Sequence, residues 1–177
     1  YYGAVTSDTI FKETDEVGTD FLADVCQKWE NAAHQFSTKN IPVTILRTGI
    51  VLADKGGALD KMKTPIISPL GSGNQFLPWI HIDDLCLMYI KAIDNNLTGI
   101  FNAVAPEHQT SKTFSKTLAK SIKRPFVGIG VPSFMLNLLF GELAIILLEG
   151  SRISAKKIEK SGFSFRFDTL KKALKKV

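Results

Sequence analysis

The feature that most constrains the fold is a β-branched, apolar run at residues 41–46, Ile-Pro-Val-Thr-Ile-Leu, bounded by Asn40 and Gly49. Side chains alternate between the two faces of a strand, and here both faces are apolar. A strand of this kind is typical of a parallel sheet that is covered by helices on each side. The run therefore predicts a buried parallel strand within a layered α/β fold.

Helical and extended patterns alternate along the rest of the chain. Apolar residues at three- and four-residue spacing predict a helix from residue 21 to about residue 36, with Thr19 or Asp20 as its N-cap. Further strands are predicted at 79–82 and 99–104, and further helices at 83–94, at 111–122 with Ser111 as cap, and after Asp168 as cap. Strands that alternate with helices in this way indicate a doubly wound α/β sheet.

One part of such a fold has no counterpart in the sequence. No predicted strand opens into the Gly-x-Gly-x-x-Gly turn that places a pyrophosphate on a helix N-terminus. Because a βαβ unit takes about 30 residues, we expect an N-terminal half of roughly 100 residues, preceding Tyr1, to supply this turn. The predicted fold class is therefore the C-terminal half of a doubly wound, Rossmann-type parallel sheet, followed by a small, mostly helical domain on the substrate side.

Charge and hydropathy argue against two classes of partner. The net charge is +5, but many of the basic residues are lysines near the C-terminus without interleaved aromatic residues, so we expect no nucleic-acid partner. The longest apolar tract, 134–148, is interrupted by Asn137, Gly141 and Glu142. A membrane-spanning helix needs about 20 nearly unbroken apolar residues, so we also expect no membrane partner.

The cysteines constrain metal binding and location. Cys26 and Cys86 form no CxxC pair, and no histidine lies at metal-ligand spacing from either. We therefore expect neither a metal site nor a disulfide framework. The chain begins without the basic and apolar segments of a secretory signal, which favours a reducing, cytoplasmic location.

Several motifs resemble those of the extended short-chain dehydrogenase/reductase superfamily. In chain order they are Tyr-Gly at 2–3, Leu-Arg-Thr-Gly-Ile-Val-Leu at 46–52, Trp-Ile-His-Ile-Asp-Asp-Leu at 79–85 and Gly-Ile-Phe-Asn at 99–102. The chain is similar above all to a subgroup of epimerase-family proteins with a small C-terminal domain, sometimes labelled sugar-nucleotide epimerases or cell-division inhibitors. This subgroup shares Tyr-Tyr-Gly at 1–3, the helix sequence at 21–30, Pro-Leu-Gly-Ser-Gly at 69–73, and the segments 161–163 and 169–174. Each motif is weak alone, and their order and spacing make the resemblance specific.

The resemblance implies two domains and a dinucleotide cofactor. Residues 1–104 would form the C-terminal part of the dinucleotide-binding domain, and residues 105–177 the substrate-side domain. The cofactor would be NADP or NAD, held largely by the glycine-rich half, so we expect these 177 residues alone to be inactive. The implied activity is that of an NAD(P)-dependent epimerase/dehydratase-like oxidoreductase acting on a small molecule, and no residue supports the cell-division label.

The catalytic pair of the superfamily is missing. Its members usually place a Tyr and a Lys one helical turn apart, because the phenol acts as acid or base and the ammonium favours its ionised form. Alignment on Glu30 puts this pair at Leu22 and Cys26, which we expect to pack in the core. Asp24 and Lys28 are predicted on other faces of the helix. A catalytic Cys26 thiolate is a weak alternative, since no base lies nearby in sequence.

Arg47 is the best cofactor candidate. It is predicted at the carboxyl end of a parallel strand, where ligands bind in open α/β sheets, and a guanidinium suits phosphate or ribose oxygens. By resemblance, Arg47, Thr48, Gly49 and Tyr2 would line the nicotinamide side of the pocket. A structural alternative stays open, in which Arg47 pairs with a carboxylate.

Candidate substrate residues follow in the second half of the sheet. Gln75, Trp79 and His81 are predicted to face a substrate, and Asn102 neighbours the substrate site in the family. For His81 a catalytic role and a buried structural role are equally open. Nucleotide-sugar epimerases usually carry an Arg two residues before the strand's aromatic residue, and Leu77 at that position weakens a nucleotide-sugar assignment.

Two further features have structural and functional alternatives. Asp84 is predicted to cap the following helix or to bond loop backbone. An apolar stripe is expected to pack in the core, with a lid or a dimer face as alternatives; it comprises Phe134, Met135, Leu138, Leu139 and Phe140.

A non-catalytic function also stays open. The same fold can serve as a dinucleotide-sensing or protein-interaction module, and the missing Tyr/Lys pair favours this alternative. The retained Arg47 and the glycine loop at 69–73 favour an enzyme. A strand edge left exposed near residues 1–3 and 42–48 further predicts a homo-oligomer.

Overall fold

The computed structural model describes residues 1–176, with the side chains of all of them except 139, 140 and 143. The strands are β1 (Ile10–Phe11), β2 (Thr44–Thr48), β3 (Ile50–Leu52), β4 (Trp79–His81), β5 (Gly99–Ala103) and β6 (Arg152–Ile153). The helices are α1 (Phe21–His34), α2 (Gly57–Met62), α3 (Ile82–Asp94), α4 (Ser111–Ser121), α5 (Ser133–Phe140), α6 (Ile145–Leu148), α7 (Lys156–Lys160) and α8 (Leu170–Lys176). Short 3-10 turns occupy Ser37–Lys39 and Gly141–Ala144.

All the strand pairs of the described chain are parallel. They are β1 with β6, β2 with β5, and β3 with β4. In the longest pair, Thr44 lies opposite Gly99 and Thr48 opposite Ala103, so that Arg47 lies opposite Asn102. Among the described residues β2 has a partner strand on one edge only. Parallel strands joined by helices confirm the predicted α/β fold class.

Local chemistry explains where the elements begin. Asp20 caps α1 by accepting the Ala23 amide at 3.0 Å, as predicted. β2 begins at Thr44 rather than at residue 41, because Pro42 has no N–H for the ladder. The prediction that Ser111 caps α4 was wrong, because Thr110 does so by exchanging hydrogen bonds with Thr113.

Three short strands were not predicted, namely β1, β3 and β6. The chain passes from β2 to β3 through Gly49, where a Cβ atom would lie 2.7 Å from the carbonyl oxygen of Pro78. Only glycine permits this close approach of two backbones. It brings β3 against β4 directly behind the end of β2.

Two apolar clusters form the core. One contains Leu52, Trp79 and Phe114, and the other Ile80 and Met88, with several neighbours in each. Both clusters include residues from each side of position 104, so the two predicted domains share their packing. The division into 1–104 and 105–177 stays a prediction.

Asp84 connects the sheet side to the C-terminal segment. Its carboxylate is fully buried and accepts the backbone N–H groups of Arg166 and Phe167, each at 2.9 Å. This contact confirms the loop-backbone alternative for Asp84. The last helix is not capped by Asp168 as predicted, because Glu107 accepts the Leu170 amide at 2.6 Å.

The apolar stripe of α5 does not pack in the core as expected. Phe134, Met135 and Leu138 are exposed, Leu138 to 85%. The side chains of Leu139 and Phe140 lie outside the described residues. No helix within residues 1–176 is long and apolar enough to cross a membrane.

Candidate cofactor site at the carboxyl ends of β2 and β5

A cavity of about 660 Å³ lies along β2 and reaches the carboxyl ends of β2 and β5. This volume is within the range of small-molecule and cofactor sites. Its walls come from the N-terminus, α1, β2 and the segment around β6; they include Tyr1, Tyr2, Gly3, Cys26, Trp29, Glu30, Ala33, residues 44–49, Pro78, Asn102, Val104, Gly150, Ser151 and Ile153. The predicted cofactor residues Tyr2, Arg47, Thr48 and Gly49 all lie here.

Arg47 is held in a buried ion pair with Glu30 of α1. Its Nε donates to Glu30 Oε1 at 2.7 Å and its Nη2 to Glu30 Oε2 at 2.8 Å, a bidentate geometry. The side chains of Arg47 and Glu30 are only 7% and 11% exposed. The Tyr1 ring covers the guanidinium face, with its centroid 3.2 Å from Cζ. Burial acts to lower the pKa of Arg47, but the hydrogen bonds with Glu30 and Tyr2 outweigh it and raise the pKa above its usual value.

Tyr2 joins Arg47 to the neighbouring strand. Arg47 Nη1 donates to the Tyr2 hydroxyl at 3.0 Å, and this hydroxyl donates to Asn102 Oδ1 at 2.7 Å. Burial raises the pKa of Tyr2 even though the hydrogen bond from Arg47 opposes the shift. The phenol is therefore neutral at physiological pH, and its one proton is donated to Asn102.

Glu13 completes the polar cluster from the loop after β1. Its carboxylate accepts a hydrogen bond from the backbone N–H of Asn102 at 2.9 Å, and its backbone carbonyl accepts one from Arg47 Nη1 at 3.3 Å. With Glu30, Tyr2 and Glu13 as partners, Arg47 uses four of the five N–H groups of a guanidinium. This arrangement favours the structural alternative for Arg47, and a direct contact with cofactor stays a prediction.

Two partners of Arg47, Glu30 and Glu13, were not predicted as site residues, whereas the third, Tyr2, was. Glu30 had served only to align the helix, and Glu13 had no assigned role. One available signal was the spacing of Cys26, Glu30 and Ala33, which places all three on one side of α1. That side lines the cavity.

The two positions where the superfamily carries its Tyr and Lys differ in their exposure and in their contact with the cavity. Leu22 is 36% exposed, so it is not a core residue as expected. Cys26 is half-buried and lines the cavity. Asp24 and Lys28 lie outside it and form an exposed ion pair at 2.7 Å. None of these four side chains reproduces the Tyr/Lys arrangement.

Three of the predicted substrate residues do not line the cavity. Gln75 is fully buried and donates from Nε2 to the carbonyl oxygens of Leu70 and Leu147, at 3.0 and 2.7 Å. Trp79 is a core residue whose Nε1 donates to the Glu107 carbonyl at 3.1 Å. Of the predicted substrate residues, the structure brings only Asn102 to the cavity.

His81, the last residue of β4, has a structural role. Its side chain is 2% exposed, its Nδ1 accepts the Asp83 amide at 3.1 Å as the N-cap of α3, and its ring stacks on Phe167 at 3.8 Å. Because Nδ1 accepts this bond, the proton of the neutral ring is on Nε2. Burial lowers the pKa of His81; Asp83 and Asp84 oppose this shift and Lys176 adds to it.

The buried, neutral His81 predicts a loss of stability in acid. A histidine whose folded pKa lies below its unfolded value contributes full stability above the unfolded pKa, near 6.5. The free energy of unfolding should then fall as pH drops below that value, by at most about 1.4 kcal/mol per pH unit. Urea unfolding between pH 7.5 and pH 5 measures the dependence of this free energy on pH. The variant His81→Asn should remove the dependence, because Asn can cap α3 but does not titrate.

His108 needs a control, because burial also lowers its pKa. The two histidines would contribute slopes of the same sign. The measurement is therefore repeated in a His108→Gln background. A slope that survives His81→Asn in that background would show that His81 is not the titrating group.

Comparison with known proteins agrees with this geometry. Residues 131–177 match the family model described as Domain of unknown function (DUF1731). The chain is 36% identical over 184 residues to the chloroplastic epimerase family protein SDR39U1 homologue of Arabidopsis thaliana, with all of this chain and 52% of the relative covered. The structure of human epimerase family protein SDR39U1 (isoform 2) with NADPH superposes with a TM-score of 0.86 at 32% identity, over 96% of this chain and 59% of that one.

The chain belongs to this epimerase family of extended short-chain dehydrogenases/reductases. A nucleoside-diphosphate sugar epimerase from Corynebacterium glutamicum is also similar, with a TM-score of 0.76 and 29% identity over 98% of this chain and 34% of that one. The resemblance inferred from the motifs is confirmed. This epimerase-family chain spans about half the length of the curated relatives it matches.

Proposed function

We propose that the chain contributes the substrate side of an NAD(P)-dependent, epimerase/dehydratase-like oxidoreductase. The observation that carries this proposal is the cavity at the carboxyl ends of β2 and β5, in a fold that superposes on an NADPH-bound relative. A ligand there would meet Thr48, Gly49, Asn102 and the neutral Tyr2. Glu30 and Arg47 would keep this wall in place.

The cofactor is proposed to be NADP or NAD, and the reactants small molecules. When bound, the nicotinamide would supply hydride transfer, and the protein would orient the substrate. The strand end suits a ligand hydroxyl group, because the Thr48 hydroxyl donates to the Leu46 carbonyl at 3.2 Å and its oxygen can still accept a hydrogen bond.

Cofactor binding tests the proposal. The 177 residues contain no Gly-x-Gly-x-x-Gly turn, so calorimetry of this chain with NADPH should show no heat. The same chain preceded by a glycine-rich βαβ half should bind NADPH saturably, as measured by nucleotide fluorescence. NADPH binding by the 177 residues alone would contradict the expectation that the glycine-rich half holds most of the cofactor. A lack of binding by the chain joined to that half (the joined protein) would contradict the proposed function.

A matched pair of variants connects binding to the cavity. Thr48→Phe in the joined protein should crowd the strand end and weaken NADPH binding by about tenfold or more. Thr38→Phe, at an exposed position of the 3-10 turn after α1, should leave binding unchanged. Equal affinities of the two variants would remove the strand end of β2 from the site.

A dinucleotide-sensing or protein-interaction module is the second candidate. The observation that favours it is the side-chain pair Leu22 and Cys26, which cannot transfer the proton that a Tyr transfers in the superfamily. Screening the joined protein for NADPH oxidation against small carbonyls and nucleotide sugars separates the candidates. Turnover favours the enzyme, whereas saturable binding without turnover favours the module.

We also propose that the 177-residue chain self-associates through the free edge of β2, which lines the cavity, so that the associated form would not bind a cofactor there. The proposed location is reducing and cytoplasmic. Support comes from the unpaired strand edge and from Trp29, which is 72% exposed beside it. Both cysteines are free, which suits a reducing compartment. Light scattering should give a mass above 19.5 kDa, and a monomer at all concentrations would contradict the association.

A further inference from the structure

The C-terminal half of the chain carries an apolar surface that the proposed function does not use. We call it the apolar hairpin; it comprises residues 127–146, with exposed side chains at Val127, Ile129, Phe134, Met135, Leu138, Ile145 and Ile146. Phe134 is 70% exposed and Ile129 79%. Within residues 126–148 the sequence has a single charged residue, Glu142. Seven exposed large apolar side chains within 20 residues of sequence favour an interaction surface.

A row of lysines lies on the neighbouring helix. Lys112, Lys116 and Lys120 follow at four-residue spacing on one side of α4, and Lys123 lies in the turn after the C-cap of this helix. All four are exposed, and the opposite side of α4 is buried through Phe114 and Leu118. Residues 108–141 contain five Lys or Arg residues and no Asp or Glu. Acidic residues of the same segment therefore do not balance the charge of this lysine row.

One loop joins the lysine row to the apolar hairpin. In the loop before β4, the Gly73 carbonyl accepts the Lys112 amide at 2.9 Å, at the start of α4. Two residues earlier, Gly71 donates to the Val131 carbonyl at 3.0 Å, and Gln75 Nε2 donates to the Leu147 carbonyl at 2.7 Å. The same few residues thus hold the first turn of α4 and both ends of the hairpin, so the basic and apolar surfaces are neighbours.

We propose that the apolar hairpin and the lysine row together form a docking surface for an anionic lipid membrane. Phe134 and Leu138, one turn apart on α5, would enter the boundary between headgroups and acyl chains, about 5–10 Å deep. The lysine row would meet the anionic headgroups, each lysine near the surface strengthening binding about fivefold. The chain docks on the surface and does not span it.

Charge decides between a membrane and a second copy of the chain. In a two-fold interface the same patch meets itself, so the two uncompensated lysine rows would be brought together. Like charges in contact oppose such pairing, whereas an anionic surface neutralises them. The predicted absence of a membrane partner rested on the lack of a segment that could span a bilayer. Peripheral docking needs only exposed side chains such as Phe134 and Leu138.

Vesicle flotation tests the proposal with the 177-residue chain. Vesicles of phosphatidylcholine and phosphatidylglycerol should carry the protein, and vesicles of phosphatidylcholine alone should carry far less. Phe134→Ser with Leu138→Ser should lower binding roughly tenfold or more. Lys116→Gln, Lys120→Gln and Lys123→Gln together should lower it by about a hundredfold at low salt.

Matched controls remove the same chemistry elsewhere. Ile93→Ser changes an equally exposed side chain on α3, and Lys12→Gln with Lys28→Gln and Lys39→Gln removes three exposed lysines away from α4. Both controls should retain binding. Because every changed side chain is exposed, circular dichroism should show folded variants, and the two wild-type vesicle compositions give the answer even if one variant unfolds.

Three outcomes would overturn the proposal. The first is no flotation with anionic vesicles, and the second is equal flotation of the hairpin variants and their controls. The third is light scattering in which Phe134→Ser with Leu138→Ser abolishes self-association while vesicle binding is absent, which would assign the hairpin to a second copy. A Leu138→Trp variant adds a spectroscopic check, since its fluorescence should shift to the blue only with anionic vesicles.

Discussion

Glu30→Ala is expected to destabilise the protein by about 3–5 kcal/mol, because it leaves the guanidinium of Arg47 buried without its carboxylate. Both side chains are almost inaccessible, at 7% for Arg47 and 11% for Glu30, and two hydrogen bonds join them. The remaining partners of Arg47 are the Tyr2 hydroxyl and the Glu13 carbonyl, and neither carries a compensating charge. Urea unfolding followed by circular dichroism measures the loss.

A double-mutant cycle separates the interaction energy of Arg47 with Glu30 from the cost of leaving either charge buried and unpaired. Arg47→Met alone should also be strongly destabilising, because it leaves Glu30 buried and unpaired. The double variant Glu30→Ala with Arg47→Met should be more stable than either single variant, since it buries no unpaired charge. Strict additivity of the two single effects would show that the pair does not act as a unit.

The exposed ion pair on the same helix is the matched control. Lys28 and Asp24 are also 2.7 Å apart, but their side chains are 72% and 50% exposed. Lys28→Ala should therefore cost no more than about 0.5 kcal/mol. If Glu30→Ala costs as little as Lys28→Ala, then Arg47 is not locked into the structure, and its direct use by a phosphate or ribose becomes the better assignment.

The layered fold was predictable because it follows from local periodicity. The 3.6-residue pattern gave the position of α1, and the β-branched run gave β2, although Pro42 moved its first residue. The short strands β1, β3 and β6 were not predictable, because two or three residues carry no periodicity. Their pairing depends on contacts distant in sequence, such as Ile10 with Arg152.

The site was predictable only in part, and for a related reason. Arg47 could be placed at a strand end from its position after an apolar run, but its pairing with Glu30 depends on how α1 packs on β2. In β4, Trp79, Ile80 and His81 are all buried, because both faces of this strand are covered. Alternation therefore gives no information on which side chain faces a ligand, and chemistry alone had selected Trp79 and His81.

Adjacent polar residues posed a further problem for caps. Thr110 and Ser111 are both good N-cap residues, so the sequence does not decide between them. The buried Ser111 hydroxyl is instead bonded to the Leu70 amide at 3.0 Å. At α8 the acceptor is a residue distant in sequence: Glu107, and not the adjacent Asp168, accepts the Leu170 amide.

Asp84→Ala is expected to release the C-terminal segment from the sheet. The carboxylate is fully buried, and both its oxygens are occupied by the amides of Arg166 and Phe167. Each amide left without an acceptor costs about 1–3 kcal/mol, so losing both should lower the free energy of unfolding by roughly 2–6 kcal/mol. Asp84→Asn keeps one acceptor oxygen and should have an intermediate effect.

Hydrogen exchange locates the effect of Asp84, which a global stability measurement does not. In Asp84→Ala the amides of Arg166 and Phe167 should exchange faster, and α8, which packs against α4 beyond them, should lose protection with them. The matched control is Asp94→Ala at the exposed C-terminal end of α3, where a carboxylate opposes the helix dipole and its removal should not destabilise. If the amides of Arg166 and Phe167 exchange at an unchanged rate in Asp84→Ala, the Asp84 carboxylate does not hold this segment. The stacking of Phe167 on His81 would then be sufficient to hold it.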